Sequence, residues 1–247
     1  MIQHLLQLIW NQRKQNAWLW AELLLVSVFL WFLVDYLYVM GRTYTAPLGF
    51  DIRHTYSIVI SSLSERSPDY IPKEKRERPD GVHLLTALDR IRTYPGVESA
   101  CLTDGGMPYY MGSRNLVWRI DTLQVPCRYA FVTPEFFDVF RIYDKDGKTA
   151  SLKRAIEDNN SIVISADVET MNPGLSLLGQ KAYRGNVTDE IEETIRGISV
   201  PIRRHEYTKA EPNVYRALRL SRMEEGYYEG MIDAVRLCVR VLSLIHI

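Results

Sequence analysis

The stretch AWLWAELLLVSVFLWFLVDYLYVM, Ala17 to Met40, decides how this chain is organised. As a helix, about 24 residues rising about 1.5 Å each extend roughly 36 Å, which is enough to cross a hydrocarbon layer of about 30 Å. Its aromatic residues lie towards the two ends, where amphipathic rings favour the headgroup level of a bilayer. The pattern predicts a transmembrane helix over residues 17–40. The aromatic residues are Trp18, Trp20, Trp31, Tyr36 and Tyr38.

Two other structures fit the same stretch. The uncharged run from Leu23 to Val34 is about 12 residues long, a length that is also typical of a buried core helix. Arg13 and Lys14 precede it, as the n-region of a cleaved signal peptide would. The apolar stretch is longer than a signal peptide requires, and no persuasive small-residue cleavage site follows it. We therefore expect an uncleaved anchor.

Two acids interrupt the apolar stretch. Glu22 and Asp35 each lie roughly 10 Å from its midplane and about 140° apart around the helix, so they do not form one polar stripe. A carboxylate at that depth is costly unless it reaches the interface or contacts a polar group on another helix. We predict membrane or partner contacts for Glu22 and Asp35. Proton or ion handling is the alternative role.

The first 16 residues, MIQHLLQLIWNQRKQN, have an amphipathic pattern. Ile2, Leu5, Leu6 and Ile9 fall on one helical face, while Gln3, Gln7 and Lys14 lie elsewhere. We predict an interfacial helix over residues 1–16 on the cytoplasmic side of the membrane. The same four apolar residues are predicted to contact lipid or a partner protein.

Composition excludes several classes of function. The chain has 247 residues, with 30 Lys and Arg against 30 Asp and Glu, and this charge balance argues against a nucleic-acid partner. It contains no HExxH, Walker A, GxSxG or GxGxxG motif. Cys101, Cys127 and Cys238 lack metal-binding spacing. We therefore predict no enzyme activity, no metal and no cofactor, and a disulfide between Cys101 and Cys127 stays open if they lie outside the cytoplasm.

The residues from 41 to 241 mix strand and helix patterns. HTYSIVISSL, residues 54–63, predicts a mostly buried strand, and 97–105 predicts a second one. Between them, Asp80 is expected to cap a helix that ends before Pro95. The apolar face predicted for this helix consists of Val82, Leu85, Leu88 and Ile91.

The patterns of the second half complete an α+β domain. Strict alternation in LQVPCRYAFV predicts a strand with one buried face, in which Pro126 favours an edge or a bulge. Thr133 and Pro134 are expected to begin a helix, and further strands are predicted at 161–168 and 197–204. Because the order lacks a regular βαβ rhythm, we expect an α+β fold in one lobe or two. The alternating residues are Leu123, Val125, Cys127, Tyr129 and Phe131, and the residues expected to pack inward from the helix are Phe136, Phe137, Val139 and Phe140.

Three motifs follow one another at a characteristic distance. They are LDRIRTYPGVES at 88–99, RYAFVTPEFFDVFRI at 128–142 and NNSIVISADV at 159–168. With the amphipathic start and the single span, this order resembles the N-terminal half of MacB/FtsX-type ABC transporter permeases, from Met1 to about Leu218. NPGLSLLGQK, residues 172–181, matches the family's next motif loosely, and the family's later spans are absent from the sequence.

The resemblance implies a location and partners. Residues 41–241 would be a periplasmic core domain, incomplete at its C-terminus, of a permease in a bacterial cytoplasmic membrane. A separate or fused ABC ATPase would bind the ATP, and a second permease copy or a paralogue would complete a dimer. The orientation rests on the resemblance, because Arg13 and Lys14 before the span are nearly balanced by Arg42 and Arg53 after it.

The last six residues, LSLIHI at 242–247, resemble the translation of a transposase end used in DNA library preparation. We expect a sequencing scar there, and a genuine short apolar end is the alternative. The leading hypothesis is a permease subunit whose outer domain transmits ATP-driven conformational change. The alternatives are a membrane-anchored sensor with a ligand-binding domain and a single-pass anchored interaction protein.

Overall fold

The structure is a computed structural model, and it divides into two units, Met1–Ala46 and Pro47–Ile247. The first unit contains helices α1, Ile2–Asn11, and α2, Ala17–Thr45. Helix α2 therefore extends five residues beyond the predicted end at Met40. The described residues are 2–12, 14, 17–61, 63–72, 75–110, 112, 114–185, 190–226 and 232–242.

The second unit is a mixed α+β domain built on nine described strands, as the sequence predicts. The strands are β1 Thr55–Ile58, β2 Val97–Asp104, β3 Arg114–Ile120, β4 Leu123–Val132, β5 Ser161–Ser165, β6 Lys181–Arg184, β7 Ile191–Ser199, β8 Asn213–Ala217 and β9 Val235–Val241. The helices are α3 Asp80–Arg92, α4 Phe136–Val139, α5 Ala150–Glu157, α6 Asp167–Met171 and α7 Leu220–Glu224, and a 3-10 helix spans Ile232–Ala234.

Six of the strands close on themselves. The sheet runs β4, β3, β6, β7, β5, β8, and β8 pairs in parallel with the second half of β4. Each of these strands contributes at least one buried side chain to a shared interior that includes Trp118, Ile164 and Ile195. The arrangement is a small barrel filled with side chains.

Strands β2, β9 and β1 extend the sheet beyond β4. Helices α3 and α7 pack on one face of this extension, around Leu88, Leu102 and Leu237. Helix α4 covers the opposite face, where Phe136 and Phe137 are completely buried, and α5 joins the same core from the side of β5 and β7. One continuous sheet thus runs through the domain, which forms one compact unit.

Two predicted strands differ from the observed ones. Residues 54–63 contain only the four-residue β1, and its side chains are mostly exposed because β1 pairs with β9 alone among the described strands and forms the sheet edge. The strand predicted at 197–204 is β7, which begins earlier and ends at Ser199. Pro201 follows, and Arg203 donates its backbone N–H to the carbonyl oxygen of Leu48 instead of joining a strand.

The starts of helices α3 and α4 also differ from the predicted ones. Pro79 is the N-cap residue of α3, and the Asp80 carboxylate pairs with Arg76 at 2.5 Å. The completely covered face of α3 consists of Gly81, Leu84 and Leu88, whereas the predicted Val82, Leu85 and Ile91 are half-buried. Thr133 does not cap a helix, because its hydroxyl accepts a hydrogen bond from the Leu102 N–H and α4 begins only at Phe136.

The alternation predicted for β4 changes phase along the strand. Val125 and Cys127 are buried, but further on Ala130 and Val132 are buried while Tyr129 and Phe131 are half-buried. From Arg128 onward both faces of β4 are covered. Ala130 and Val132 pack in the core with α4 and α5, while Tyr129 packs against the barrel interior and Phe131 against the core with α3. Pro126 lies before Arg128, in the half of β4 that pairs with β3 alone among the described strands. The other edge of the strand is unpaired there within the described part of the chain, and proline, which lacks an N–H, is tolerated at such an edge. The strand predicted at 161–168 is β5, ending at Ser165, followed by α6.

Candidate functional site

Helix α2 presents apolar side chains to its surroundings along its whole length. None of its 29 residues is buried, and the mean hydropathy of an 18-residue window within it is 2.2. At about 1.5 Å per residue the helix is roughly 44 Å long. A core helix buries at least one apolar face against its own domain, and α2 buries none. Helix α2 is therefore not a core helix of this chain. By length and composition α2 is a candidate membrane span.

The two predicted acids lie on α2 about 20 Å apart along the helix axis, and both are exposed. The structure therefore does not bring Glu22 and Asp35 together. Helix α1 covers most of the predicted amphipathic segment, but the side chains of Ile2, Leu5, Leu6 and Ile9 lie outside the described residues. Their contacts, like those of Glu22 and Asp35, stay predictions.

The segment that follows α2 is fastened into the domain by Arg240. This arginine lies on β9 and is only 2% exposed. Its Nε donates to the carbonyl oxygen of Val139 at 2.7 Å, its Nη1 to that of Arg53 at 2.8 Å, and its Nη2 to that of Asp51. We call residues 47–55 with Arg240 and Val139 the linker junction. The fork of a guanidinium suits it to holding several carbonyl groups at once.

Backbone contacts complete the linker junction. The N–H of Asp51 donates to the carbonyl oxygen of Phe140 at 2.8 Å, next to the Arg240 contact with Val139. Gly49 has a φ of +83°, and a Cβ at this position would lie 2.1 Å from the carbonyl oxygen of Pro201. Only glycine fits such a left-handed conformation with so close an approach. Residues 47–55 are therefore held to the rest of their own unit by hydrogen bonds and close packing.

Arg240 is not among the functional residues predicted from the sequence. The available signal was a cationic residue within VRLCVRV, residues 235–241, a strand whose other residues are mostly apolar. Only the placement of β9 between β1 and β2 reveals that this guanidinium is buried.

A second buried charge cluster lies on the barrel. Glu193 is 3% exposed and accepts a hydrogen bond of 2.7 Å from Nε of Arg216. Arg184 lies 3.3 Å away from the same carboxylate, and Trp118 donates to it at 3.4 Å. Burial lowers the pKa of Arg216, and the Glu193 charge opposes that shift. The cluster fixes β3, β6, β7 and β8 around one carboxylate.

Asp167 is buried at the start of α6. Burial raises the pKa of its carboxyl group, although hydrogen bonds from the Ser165 hydroxyl and the Ile202 N–H oppose the shift. Its Oδ2 has no hydrogen-bond partner among the described residues. The folded domain therefore favours the protonated form of this group more than the unfolded chain does.

A shallow apolar groove of about 340 Å³ lies beside β1. Its walls include Ile52, Tyr56, Met107 and Tyr109, and its floor reaches Cys238. Among the residues that the structure describes, no group of three or more His, Cys, Asp or Glu side chains is placed to hold a metal ion.

The cysteines are arranged differently from the pairing that the sequence left open. Cys127 lies inside the barrel, whereas Cys101 packs in the other core cluster opposite Cys238. A disulfide between Cys101 and Cys127, which the sequence left open, is not formed in this structure, because the two side chains belong to different cores. All three side chains are buried free thiols in the structure.

Comparison with known proteins gives likenesses to solved structures. No protein-family model and no curated protein matches the chain. A domain of a protein described as a permease, from Porphyromonas gingivalis, is 18% identical with a TM-score of 0.45; the match covers 64% of this chain and 62% of that one. The chain thus spans less than two thirds of that structure.

Two further structures are similar. The extracellular domain of the noncanonic ABC-type transporter YknZ from Gram-positive bacteria is 13% identical with a TM-score of 0.45, covering 77% of this chain and 84% of that one. The periplasmic region of MacB from Actinobacillus actinomycetemcomitans is 9% identical with a TM-score of 0.44, covering 83% and 81%.

Proposed function

We propose that this chain is part of a permease subunit of an ABC transporter, anchored by α2, with its domain outside the cytoplasm. The observation that carries the anchor is α2, which is apolar and has no buried residue over 29 positions. The assignment to the permease class is supported by the three sequence motifs. An ABC ATPase would bind and hydrolyse the ATP, and the domain itself would perform no chemistry.

The linker junction supports a mechanical role for the domain. Movement of a membrane helix reaches a soluble domain only through the chain that joins them, and a loose linker would absorb it. Here Arg240 and the Asp51 N–H bond that chain to β9 and to the end of α4. In the proposed mechanism, ATP hydrolysis in the partner shifts the spans, and the linker junction passes the shift to the domain.

The first test identifies the partner. The full-length protein, tagged in its source cells, is purified from solubilised membranes and the retained proteins are sequenced. We expect an ATPase carrying GxxxxGK[ST] to be retained in stoichiometric amount. Absence of any such ATPase from a preparation that still contains the folded chain would overturn the proposal.

The second test follows the movement. Hydrogen exchange of the purified complex is compared with and without ATP and Mg²⁺, using a partner mutated in its P-loop lysine as the control. We expect exchange at residues 47–55 to change with ATP, while the β3–β4 hairpin stays constant. Unchanged exchange at residues 47–55 during turnover would contradict transmission through the linker junction.

A sensor is the second candidate, and the groove beside β1 favours it. At about 340 Å³ the groove is near the lower end of the range of small-molecule sites. A sensor would retain a kinase or another signalling protein in the same purification, and no ATPase. Filling the groove by Ser57→Trp would then abolish signalling, whereas a permease would keep its ATPase partner.

A further inference from the structure

Cys101 and Cys238 face each other directly across two strands. They are register partners in the antiparallel pair of β2 and β9. Their side chains lie on the same face of the sheet, in the core cluster with α4 and α5, and are 0% and 1% exposed. Each of these two buried cysteines is therefore the nearest cross-strand neighbour of the other.

The hydrogen bonds around the pair define its geometry. Leu102 exchanges hydrogen bonds with Thr133, so its backbone groups point away from β9. The adjacent Cys101 therefore points its N–H and C=O towards Cys238 and forms a hydrogen-bonded pair. In such a pair the Cα atoms are about 5.5 Å apart, which is within the range of roughly 4.4–6.8 Å that disulfides span.

The two thiols also interact. Burial raises the pKa of the Cys101 thiol, and the neighbouring Cys238 side chain raises it further. Cys127 provides a contrast, because burial alone raises the pKa of its thiol to about 12 and its register partner is Leu116. The Cys238 sulfur lies 3.2 Å from the Met107 sulfur at the floor of the groove beside β1.

We propose that Cys101 and Cys238 form a disulfide in the protein as it occurs in the cell. This inference rests on the proposed function in one respect, because disulfides persist outside the cytoplasm. The oxidant is the disulfide of a protein thiol–disulfide exchange catalyst in that compartment. The two cysteines give up two electrons and two protons, a bond forms between their sulfurs, and the oxidant's disulfide leaves as two thiols.

The bond would fix the linker junction to the sheet. Arg240 lies two residues after Cys238 on β9, on the strand that carries the hydrogen bonds to Asp51 and Arg53. A covalent link from β9 to β2 keeps Arg240 in register even when force is applied through the linker. The oxidation happens during folding, before the pair is buried.

The test uses the full chain in detergent, prepared from cells without reductant. The protein is denatured, its free thiols are alkylated, and its peptides are analysed by mass spectrometry. We expect a Cys101–Cys238 linked peptide pair and an alkylated Cys127. Cys127→Ser should keep the link, and Cys238→Ser should leave Cys101 alkylated. Reduction should lower the unfolding midpoint by about 5–10 °C in the protein and in Cys127→Ser, but not in Cys238→Ser.

Three alkylated cysteines would overturn the proposed bond. A separate measurement shows whether the proposed function fails with it. Asp89→Cys on the exposed side of α3 is treated in intact cells with a membrane-impermeant maleimide. Labelling together with three free native thiols means that the disulfide is wrong and the location is right. Absence of labelling on intact cells, with labelling after lysis, means that the domain is not outside.

Discussion

Arg240 donates a hydrogen bond from Nε to the carbonyl oxygen of Val139 at 2.7 Å, although 101 residues separate the two in sequence. The same guanidinium reaches the carbonyl oxygens of Arg53 and Asp51. One side chain therefore connects the end of α4, strand β9 and the segment that follows α2.

Arg240→Met keeps much of the apolar length of the side chain and removes its donors. We expect the free energy of unfolding to fall by about 3 kcal/mol, because several buried carbonyl oxygens lose their charged donor. Chemical denaturation of the full chain in detergent, followed by circular dichroism, measures the change. Arg196→Met is the control, since Arg196 is also on a strand but its side chain is 56% exposed. Equal effects of the two substitutions would contradict a special role for Arg240.

Gly49→Ala tests the close approach in the linker junction. The added Cβ would lie 2.1 Å from the Pro201 carbonyl oxygen, so we expect a loss of at least about 2 kcal/mol of stability. Gly179→Ala is matched, because Gly179 has the same φ of +83° but nothing within 4 Å of the new Cβ. The difference between the two unfolding midpoints isolates the contact with Pro201. If both variants behave alike, backbone conformation explains the whole effect.

Glu193→Gln removes the charge that compensates Arg216 in the barrel. We expect a destabilisation of about 3 kcal/mol, because a buried cation is left without its counter-charge. Glu192→Gln is the neighbouring control, whose carboxylate is exposed and pairs with Lys181, and its unfolding midpoint should change little. Denaturation of both variants at neutral pH tests the expectation. A midpoint of Glu193→Gln equal to that of the parent protein would show that the cluster adds no stability.

Asp167→Asn should change how stability depends on pH. Because burial raises the pKa of Asp167 in the folded state, its stabilising proton is fully bound below about pH 4 and is lost as the pH rises through the folded pKa. The Asn variant lacks this titration, so its stability relative to the parent should increase between about pH 4 and pH 7. Unfolding midpoints measured across that range give the result.

Asp144→Asn should show the opposite trend. Burial opposes the shift, but hydrogen bonds from the Ser151 hydroxyl and the N–H groups of Lys148 and Asp146 lower the pKa of Asp144. Its contribution is present above about pH 4 and is lost at lower pH, so the Asn variant should be least stable relative to the parent near neutral pH. If the stabilities of Asp167→Asn and Asp144→Asn relative to the parent changed with pH in the same direction, the opposite pKa shifts assigned to the two groups would be contradicted.

Replacing Glu22 and Asp35 together by Leu tests the acids of α2. If they contact a partner helix, the double variant should insert in the membrane but retain less of the ATPase partner, because the polar contacts within the bilayer are gone. Ser27→Leu on the same helix is the control for added apolar surface. A double variant whose complex assembles and works normally would remove the assigned role of the two acids.

Local patterns were sufficient for the elements that depend on composition or on their own neighbours. Helix α2 follows from its apolar run, strand β2 from its apolar and β-branched residues, and the inward packing of Phe136 and Phe137 from their spacing. All three are confirmed. The α+β class follows from the same patterns, because each element carries its own periodicity.

Closure of the barrel was not predictable in the same way. It depends on β4 pairing with β8 and on β5 pairing with β7, and these contacts join residues far apart in sequence. The burial of Ala130 rather than Tyr129 depends on the core that α4 and α5 form over that face of β4, and no local alternation encodes it. The role of Arg240 has the same origin, since its acceptors belong to distant segments.

The position of β9 governs the order in which the strands of the domain become available for pairing during synthesis. Strand β1 is synthesised early, but its pairing partner is the last of the nine described strands to be made, and Arg53 precedes Arg240 by 187 residues. At roughly 5–20 residues per second, the nascent β1 waits on the order of 10–40 s for its partner. Throughout that time β1 and one edge of β2 are unpaired and open to association with other chains. Synthesis of this domain therefore has a vulnerable interval that ends only when β9 inserts between them.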